Sequence, residues 1–218
     1  MSIGDAEIKT QERVVNFFRN PEILGYQYIG NLSEQRNKNI KEDRLRQYLR
    51  LKGYADKLID GAVTQLQQAS GDLSRGLYDA NKTVYSLLKY GVKVSESPEK
   101  SPVTVELIDE EHPLNNDFAI AEEVTVVEQS EKRPDLVIYL NGVAVAVIEL
   151  KRNGTPVSEG IRQNETNQKD TFIHRFFTTI QFCMAGNESE GLRYGTILTG
   201  EKFYMEWKDD GFKEHREE

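Results

Sequence analysis

Hydrophobic and polar positions follow a helical period through the first part of the chain. Segment 6–19 (AEIKTQERVVNFFR) repeats apolar side chains at that period, and Asn20-Pro21 ends the run. Residues 25–31 (GYQYIGN) instead carry alternating aromatic side chains, which favour a short strand. Three more helices are predicted after this strand: Asp43–Leu51, Ala55–Ala69 and Asp72–Tyr90. Residues 1–91 are therefore predicted to form a helix-rich part of the protein.

The pattern changes to runs of valine and isoleucine within residues 92–218. Val92–Asn116 is polar and contains two Ser-Pro pairs, so it is predicted to form loops or edge strands. Two strand regions follow, Phe118–Glu128 and Pro134–Lys151, and the second of them holds a hairpin. The remaining predicted elements are helices Ser158–Lys169 and Phe172–Ala185 and a second hairpin, Tyr194–Thr199 with Lys202–Trp207. Together these patterns predict an α/β (α+β mixed) protein with a central mixed sheet flanked by helices.

Asn141-Gly142 is a strong turn signal between the apolar runs of RPDLVIYL and VAVAVIELKR. A turn of two residues would pair Leu140 with Val143. With regular pairing beyond that turn, Asp135 and Glu149 would point to opposite faces of the sheet, because side chains alternate along a strand. This register would separate the two carboxylates.

A loop of three residues, 140–142, would change the register so that Asp135 pairs with Val147. Its last residue, a left-handed glycine, would form a bulge, and Asp135, Glu149 and Lys151 would then share one face. The opposite face would be wholly apolar: Leu136, Ile138, Leu140, Ala144, Ala146, Ile148 and Leu150. Because such a face belongs in a core, the three-residue loop is the predicted one.

In that register the two carboxylates suit a hydrated cation. Asp135 and Glu149 would be diagonal neighbours on paired strands, with Cα atoms roughly 7 to 8 Å apart. They can close on an ion that takes oxygen ligands at about 2.1 Å, for which Mg²⁺ is the natural occupant and Mn²⁺ a substitute. Such an ion binds a phosphate oxygen and lowers the pKa of a bound water, while Lys151 adds positive charge against the phosphorane or orients the attacking water. The set predicts phosphodiester hydrolysis.

The net charge of −8, from 28 Lys and Arg against 36 Asp and Glu, argues against strong DNA binding by this chain alone. Basic residues nevertheless gather in two stretches, residues 36–52 and 151–175. Each stretch predicts either a solvated helix face or a surface that faces phosphates.

Several classes of site are excluded by the sequence. Cys183 is the only cysteine, and the three histidines lack metal-ligand spacing. No apolar run approaches the roughly 18 residues of a spanning helix, and the N-terminus is too polar for a signal peptide, so a cytoplasmic protein without membrane contact is expected. Residues 195–202 (GTILTGEK) are similar to a phosphate-binding loop, but Glu201 occupies the lysine position, so no ATP site is predicted here.

Pro134-Asp135, thirteen intervening residues and Glu149-Leu150-Lys151 resemble the signature of the PD-(D/E)XK nucleases. The wider chain resembles the N-terminal nuclease domain of type I restriction enzyme R subunits. The segments that carry this resemblance are TQERVVNFF, LGYQYIGN, NNDFAIAEEVTV, RPDLVIYLNGVAVAVIELKR, IRQNETNQ and YGTILTGEKFYMEWK. The resemblance implies one endonuclease domain in residues 1–218, with a restriction-endonuclease-like catalytic core in residues 92–218, as a fragment of a larger motor subunit.

The resemblance also implies roles for single residues. Asp135 and Glu149 would bind the metal, the carbonyl of Leu150 would be a further ligand, and Lys151 would be catalytic. Families of this fold often place another acidic residue on the first helix, for which Glu12 is the candidate.

Related R subunits carry a glutamine on the helix after the catalytic lysine, in a Q-x-x-x-Y pattern. Gln163 fits the glutamine and would act in catalysis or contact DNA or water. Asn167 occupies the tyrosine position, so no tyrosine role is transferred.

The expected function is that of a type I site-specific deoxyribonuclease, whose isolated domain need not cut DNA alone. Its implied partners are double-stranded DNA and the methyltransferase (M) and specificity (S) subunits, with ATP bound only in a motor region absent from this chain. One alternative is a free-standing nuclease or resolvase, disfavoured by the negative charge and the helical first part. Another is a non-catalytic module that docks DNA or a partner, disfavoured by the intact Asp/Glu/Lys set.

Overall fold

The computed structural model of the chain describes residues 3–97 and 99–208. Its helices are α1 (Ile3–Arg19), α2 (Glu42–Leu51), α3 (Asp56–Gly71), α4 (Leu77–Tyr90) and α5 (Val157–Asn167). Its strands are β1 (Gln27–Asn31), β2 (Val92–Val94), β3 (Val103–Val105), β4 (Phe118–Glu122), β5 (Val126–Val127), β6 (Glu131–Lys132), β7 (Leu136–Leu140), β8 (Val143–Leu150), β9 (Phe182–Asn187), β10 (Gly191–Gly195) and β11 (Met205–Glu206). Within these described ranges, no helix is both long enough and apolar enough to span a bilayer.

The central sheet has seven strands in the order β1-β4-β7-β8-β9-β10-β11. Strands β1 and β4 pair in parallel, as do β8 and β9, and the other neighbours are antiparallel. Two short hairpins, β2–β3 and β5–β6, lie outside this sheet. The predicted mixed sheet flanked by helices is confirmed, and its architecture is consistent with a PD-(D/E)XK-like fold.

Each face of the sheet is covered by helices, so both faces of its central strands are buried. One face packs against α1 and has this buried core: Val15, Ile120, Leu136, Ile138, Ala146, Ile148, Leu150 and Met184. The other face packs against α5 and a 3₁₀ helix, His174–Thr178, around Val137, Val147, Phe176, Phe177 and Cys183. Strand β8 therefore alternates between two apolar environments.

A third core joins the helix-rich part to the β7–β8 hairpin. It contains buried side chains of α2, α3, α4, β2 and β3 together with Val143 of β8. The backbone N–H of Lys41, which precedes α2, donates a 2.7 Å hydrogen bond to the carbonyl of Gly142. A Cβ added at Gly142 would lie 2.6 Å from the carbonyl oxygen of Lys41, so only glycine fits against α2.

The predicted three-residue loop at the end of the hairpin is wrong. Asn141 and Gly142 both have positive φ, 51° and 83°, and Leu140 pairs with Val143, so the turn is a two-residue type I′ turn. The side chain of Asn141 is fully buried and accepts a 2.7 Å hydrogen bond from the N–H of Asp117. This two-residue turn is fixed because it docks against α2.

A β-bulge in β8 keeps Asp135 and Glu149 on one face of the sheet, which a regular hairpin with a two-residue turn would not do. Tyr139 pairs with Ala144, whereas Ile138 pairs with Ala146, so Val145 is an extra residue in β8. The carbonyl of Val145 accepts a 2.7 Å hydrogen bond from the N–H of Gln181. Beyond the bulge every residue of β8 faces the side opposite to the one that a regular two-residue hairpin would give.

The predicted helix Phe172–Ala185 is also wrong, because this segment contains the 3₁₀ helix His174–Thr178 and most of β9. The hydroxyl of Thr178 donates to the carbonyl of Arg175 at 2.8 Å, and the hydroxyl of Thr179 donates to that of Ala144 at 2.6 Å. These side-chain bonds compete with helix continuation, and the next residues pair with β8 as a parallel strand.

Three smaller corrections concern element ends. Helix α4 begins at Leu77 rather than Asp72, because Gly76 has φ 90°. The predicted strand 118–128 breaks after β4, where Glu123 has φ 51°. The predicted second hairpin is shorter than expected, because its strands are β10 and the two-residue β11. Strand β10 pairs with β9 as well as with β11. Residues 195–202 then run from β10 through a turn into a 3₁₀ helix, Glu201–Phe203, which is not a phosphate-binding strand–loop–helix.

Candidate active site

The bulge places Asp135 and Glu149 opposite each other. Strand β7 begins at Leu136, which pairs with Ile148, so Asp135, the residue just before β7, lies across from Glu149 where the pairing ends. The N–H of Leu150 donates a 2.7 Å hydrogen bond to the Oδ2 of Asp135, which ties the aspartate to β8. The two carboxylates therefore share one face as direct neighbours, rather than as the diagonal neighbours that the predicted loop required.

Glu149 has an unusual environment for a carboxylate. Its side chain is 0% exposed, and in the described part of the chain neither of its oxygens has a hydrogen-bond partner. Burial raises the pKa of Glu149 well above its ordinary value, the negative charges of Asp135 and Glu123 raise it further, and the Lys151 ammonium partly offsets them. Such a group is destabilising when charged unless a cation compensates it. Asp135 and Glu149 are the residues that could hold a metal ion.

Lys151 follows β8 and reaches α5. Its Nζ donates a 2.9 Å hydrogen bond to the Oε1 of Gln163, and its backbone N–H donates a 2.9 Å bond to the carbonyl of Gly186. The predicted lysine and glutamine are therefore brought together, beside the carboxylate pair.

Gly160, which the sequence analysis missed, sets how closely α5 approaches this pair. A Cβ at Gly160 would lie 3.0 Å from the Cβ of Ala185 and 3.4 Å from the Cβ of Glu149. Any larger side chain would push α5 away from β8 and β9. No sequence signal distinguishes this glycine from one that only weakens a helix, because its neighbours come from distant strands.

An open cleft of about 590 Å³ reaches Asp135 from the sheet edge. It is lined by Ile8, Gln11, Glu12, Asn31, Ser33, Glu122, Glu123, Arg133 and Asp135. Glu12, the predicted acidic residue of the first helix, is exposed and lines this cleft. Its role as a ligand stays a prediction, as does that of the Leu150 carbonyl, since the contact with Asp135 comes from the Leu150 amide.

Glu123 is a second residue that the sequence analysis missed. Glu122 pairs with Leu136 in the sheet, and the N–H of Glu123 donates a 2.8 Å hydrogen bond to the carbonyl of Asp135. The carboxylate of Glu123 forms a 2.7 Å ion pair with Arg133. The strand order that places β4 beside β7 is needed to see this neighbour, and residue spacing does not give it.

The tyrosine position of the predicted glutamine motif is buried. Asn167, at the tyrosine position, is 1% exposed, and neither polar atom of its side chain has a hydrogen-bond partner in the described ranges. It therefore packs inside the protein and gives no support to a contact with DNA. Within the described residues, no three His, Cys, Asp or Glu side chains are gathered closely enough to hold a metal as they stand.

The first basic stretch, residues 36–52, is largely used in ion pairs within the protein. These pairs are Arg44–Asp117 at 2.6 Å, Arg46–Asp60 at 2.6 Å, Arg50–Asp56 at 3.1 Å and Lys52–Asp109 at 2.8 Å. Lys52, with two other hydrogen-bond donors, holds the pKa of Asp109 well below its usual range. These contacts favour a structural role over a phosphate-facing surface for this stretch.

The sequence profile of the family described as type I restriction enzyme R protein N terminus matches residues 7–203. The chain belongs to this family. A similar protein is the SsaAORF53P type I restriction enzyme endonuclease subunit of Staphylococcus saprophyticus, 30% identical over 116 residues, which are 51% of this chain. Another is the HindI endonuclease subunit of Haemophilus influenzae, 27% identical over 135 residues, or 59% of this chain. The matched residues of this chain cover only 12% of the length of each of these two relatives.

Proposed function

We propose that this chain is the Mg²⁺-dependent endonuclease domain of a type I restriction enzyme R subunit and hydrolyses DNA phosphodiester bonds. The observation that carries the proposal is the cross-strand pair of Asp135 and Glu149 beside Lys151, whose ammonium is bonded to Gln163. Membership in the R-protein family supports DNA as the substrate.

The residues present fit a divalent cation. Glu149 is fully buried without a hydrogen-bond partner in the described part of the chain, and the second carboxylate, Asp135, is its cross-strand neighbour. Mg²⁺ is bound in proteins through one or two carboxylates with water in its other positions, and Mn²⁺ takes the same oxygen ligands. When bound, Mg²⁺ would polarise the phosphate as a Lewis acid and lower the pKa of a water. The chain's own part is to hold the carboxylates in place.

Each side chain of the set has a separate task in the reaction. The Leu150 amide fixes the carboxylate of Asp135, so that it stays beside Glu149. The Lys151 ammonium stabilises negative charge as it develops on the phosphate, or orients the attacking water. Gln163 holds that ammonium or contacts DNA or water. A water attacks phosphorus, the bond from phosphorus to the leaving oxygen breaks, the water loses a proton to solvent and the leaving oxygen gains one, without a covalent enzyme intermediate.

DNA and the M and S subunits are the proposed partners, and the cytoplasm is the proposed location. The net charge of −8 and the ion pairs of residues 36–52 leave this chain poorly suited to hold duplex alone. Target choice and most DNA affinity would therefore come from the partner subunits, and ATP would act in the motor region of the complete R subunit.

The test is a plasmid cleavage assay with the complete R subunit assembled with its M and S partners. Asp135→Ala, Glu149→Ala and Lys151→Ala should each abolish cleavage and leave ATP hydrolysis unchanged, since the motor lies outside this chain. Glu159→Ala, an exposed position on α5, serves as the control. Cleavage that survives all three substitutions would exclude this site and favour a non-catalytic docking module.

A further inference from the structure

Three acidic residues lie in one row where three neighbouring strands, β4, β7 and β8, come to their ends. Glu122 pairs with Leu136 on β4 and β7, and Leu136 pairs with Ile148 on β8. One residue further along each chain segment, the same row contains Glu123, Asp135 and Glu149. Glu123 and Asp135 are joined by a 2.8 Å backbone hydrogen bond and line the same cleft. The row therefore extends the carboxylate pair by one member toward the sheet edge.

An independent observation indicates that this row takes a cation. The side chain of Glu149 is 0% exposed and has no hydrogen-bond partner for either oxygen in the described part of the chain. A buried carboxylate without a partner is rare in proteins, where buried charges are paired or coordinate metals. Lys151, beside this end of the row, offsets its negative charge only in part, so a bound cation would compensate the remainder.

The carboxylate of Glu123 is engaged in a weak ion pair instead of binding a cation. Its carboxylate pairs with Arg133 at 2.7 Å, and the side chains of these residues are 24% and 55% exposed, respectively. Ion pairs at this exposure contribute little, because water competes with the partner and screens the charge. No three acidic side chains in the described ranges are gathered for a metal as they stand, so the carboxylate of Glu123 would have to leave Arg133 first.

We propose that Glu123 is a third carboxylate of the cation site formed by Asp135 and Glu149, and that Arg133 competes with the cation for it. This inference rests on the proposed function in one respect, namely that the carboxylate pair binds a divalent cation. It adds Glu123 to the cation site and an exchange of partners for its carboxylate. When the cation binds, the Glu123–Arg133 ion pair opens and the guanidinium is released at the mouth of the cleft. There it is placed to meet a phosphate of the substrate.

The experiment is a titration of the 218-residue chain with Mn²⁺, with the free ion measured by electron paramagnetic resonance. Glu123→Gln should weaken Mn²⁺ binding by about tenfold, as the loss of one supporting carboxylate does at other metal sites. Glu131→Gln is the matched control, because Glu131 is exposed on β6 and does not line this cleft. It should bind Mn²⁺ as the unchanged chain does.

Arg133→Met tests the exchange in the opposite direction. With the competing guanidinium removed, Mn²⁺ should bind a few-fold more tightly, whereas Arg133→Lys should stay near the unchanged chain. Thermal melting of each variant shows that it is folded. Because this variant strengthens binding, it keeps the inference testable even where Glu123→Gln fails to fold.

The outcomes separate the inference from the proposed function. Weaker binding in both Glu123→Gln and Glu149→Gln, with tighter binding in Arg133→Met, supports both. Binding that is lost in Glu149→Gln but unchanged in Glu123→Gln and Arg133→Met overturns the role of Glu123 and leaves the proposed function standing. An unchanged chain that binds no Mn²⁺ overturns both.

Discussion

The ammonium group of Lys151 donates a 2.9 Å hydrogen bond to the side-chain oxygen of Gln163. The lysine leaves the end of β8 and the glutamine lies on α5, so this bond links the strand that carries Glu149 to the helix packed over it. It restricts the lysine, a side chain with several rotatable bonds, to the neighbourhood of the carboxylates. Gln163 is therefore a positioning residue for Lys151.

Gln163→Ala should lower the rate of DNA cleavage by the assembled enzyme about tenfold, because Lys151 loses the partner that orients it. The KM for DNA should change less than kcat. The control is Arg162→Ala, one residue away on α5, whose guanidinium pairs with Glu201 at 3.0 Å. Equal kinetics for Gln163→Ala and the unchanged enzyme would contradict the positioning role.

Gly160→Ala should destabilise the protein by about 1 kcal/mol, because overpacking against Ala185 outweighs the gain in helix propensity. Adding Ala185→Gly removes the nearest contact atom and should recover much of the loss. Gly71→Ala is the matched control, since nothing lies within 4 Å of a Cβ there and the substitution should be neutral or stabilising. Urea unfolding measures these variants, Ala185→Gly alone and the unchanged chain, and additive effects of the two substitutions would exclude direct packing.

Glu149 should make the metal-free chain less stable as pH rises. Burial, followed by the charge of Asp135, raises its pKa in the folded state above the ordinary 4.5, so the folded chain holds this proton more tightly than the unfolded chain does. The stabilising effect of this proton is fully present below about 4.5 and is lost as pH rises toward the raised folded value. Glu149→Gln lacks this loss.

Urea unfolding in the presence of a chelator, as a function of pH, measures this effect. The stability of Glu149→Gln relative to the unchanged chain should increase as pH rises from about 4.5. A pH-independent difference would show that the carboxylate is already compensated in the metal-free protein.

Deletion of Val145 should remove the bulge while keeping the register of the site. Without this residue, a regular hairpin with the same two-residue turn still pairs Ile138 with Ala146 and leaves Asp135 opposite Glu149. We expect unchanged Mn²⁺ binding and a loss of less than about 2 kcal/mol in unfolding free energy, from the lost bond to Gln181. Lost binding in a folded variant would show that the bulge does more than set the register.

Local patterns predict the parts of this protein whose structure is decided locally. The helical periods of α1, α2 and α3 and the Asn141-Gly142 turn signal are confirmed within a few residues. The spacing of Asp135 and Glu149 also identifies the two carboxylates that the structure brings together. The turn type and the bulge could not be predicted from local patterns, because tertiary contacts set them.

The turn type depends on Lys41, which lies far away in sequence and whose N–H binds the turn. The position of the bulge cannot be read from β8, because both faces of this strand are buried and an apolar residue suits either one. The apolar run of β9 likewise suits a helix as well as a buried strand. The side-chain hydrogen bonds of Thr178 and Thr179, which compete with a continued helix, do not show in the hydrophobic pattern. Glu123 joins the site only through the order of strands.

The burial of the Asn141-Gly142 turn beneath α2 has a consequence for protein engineering. Ile40 bridges to Val143, and the core around α2 and α3 continues into β8. A shortened chain that starts at residue 92 would expose the α2-facing side of the hairpin that carries the carboxylates. Moving this hairpin into another protein therefore requires transplanting the helices that precede it.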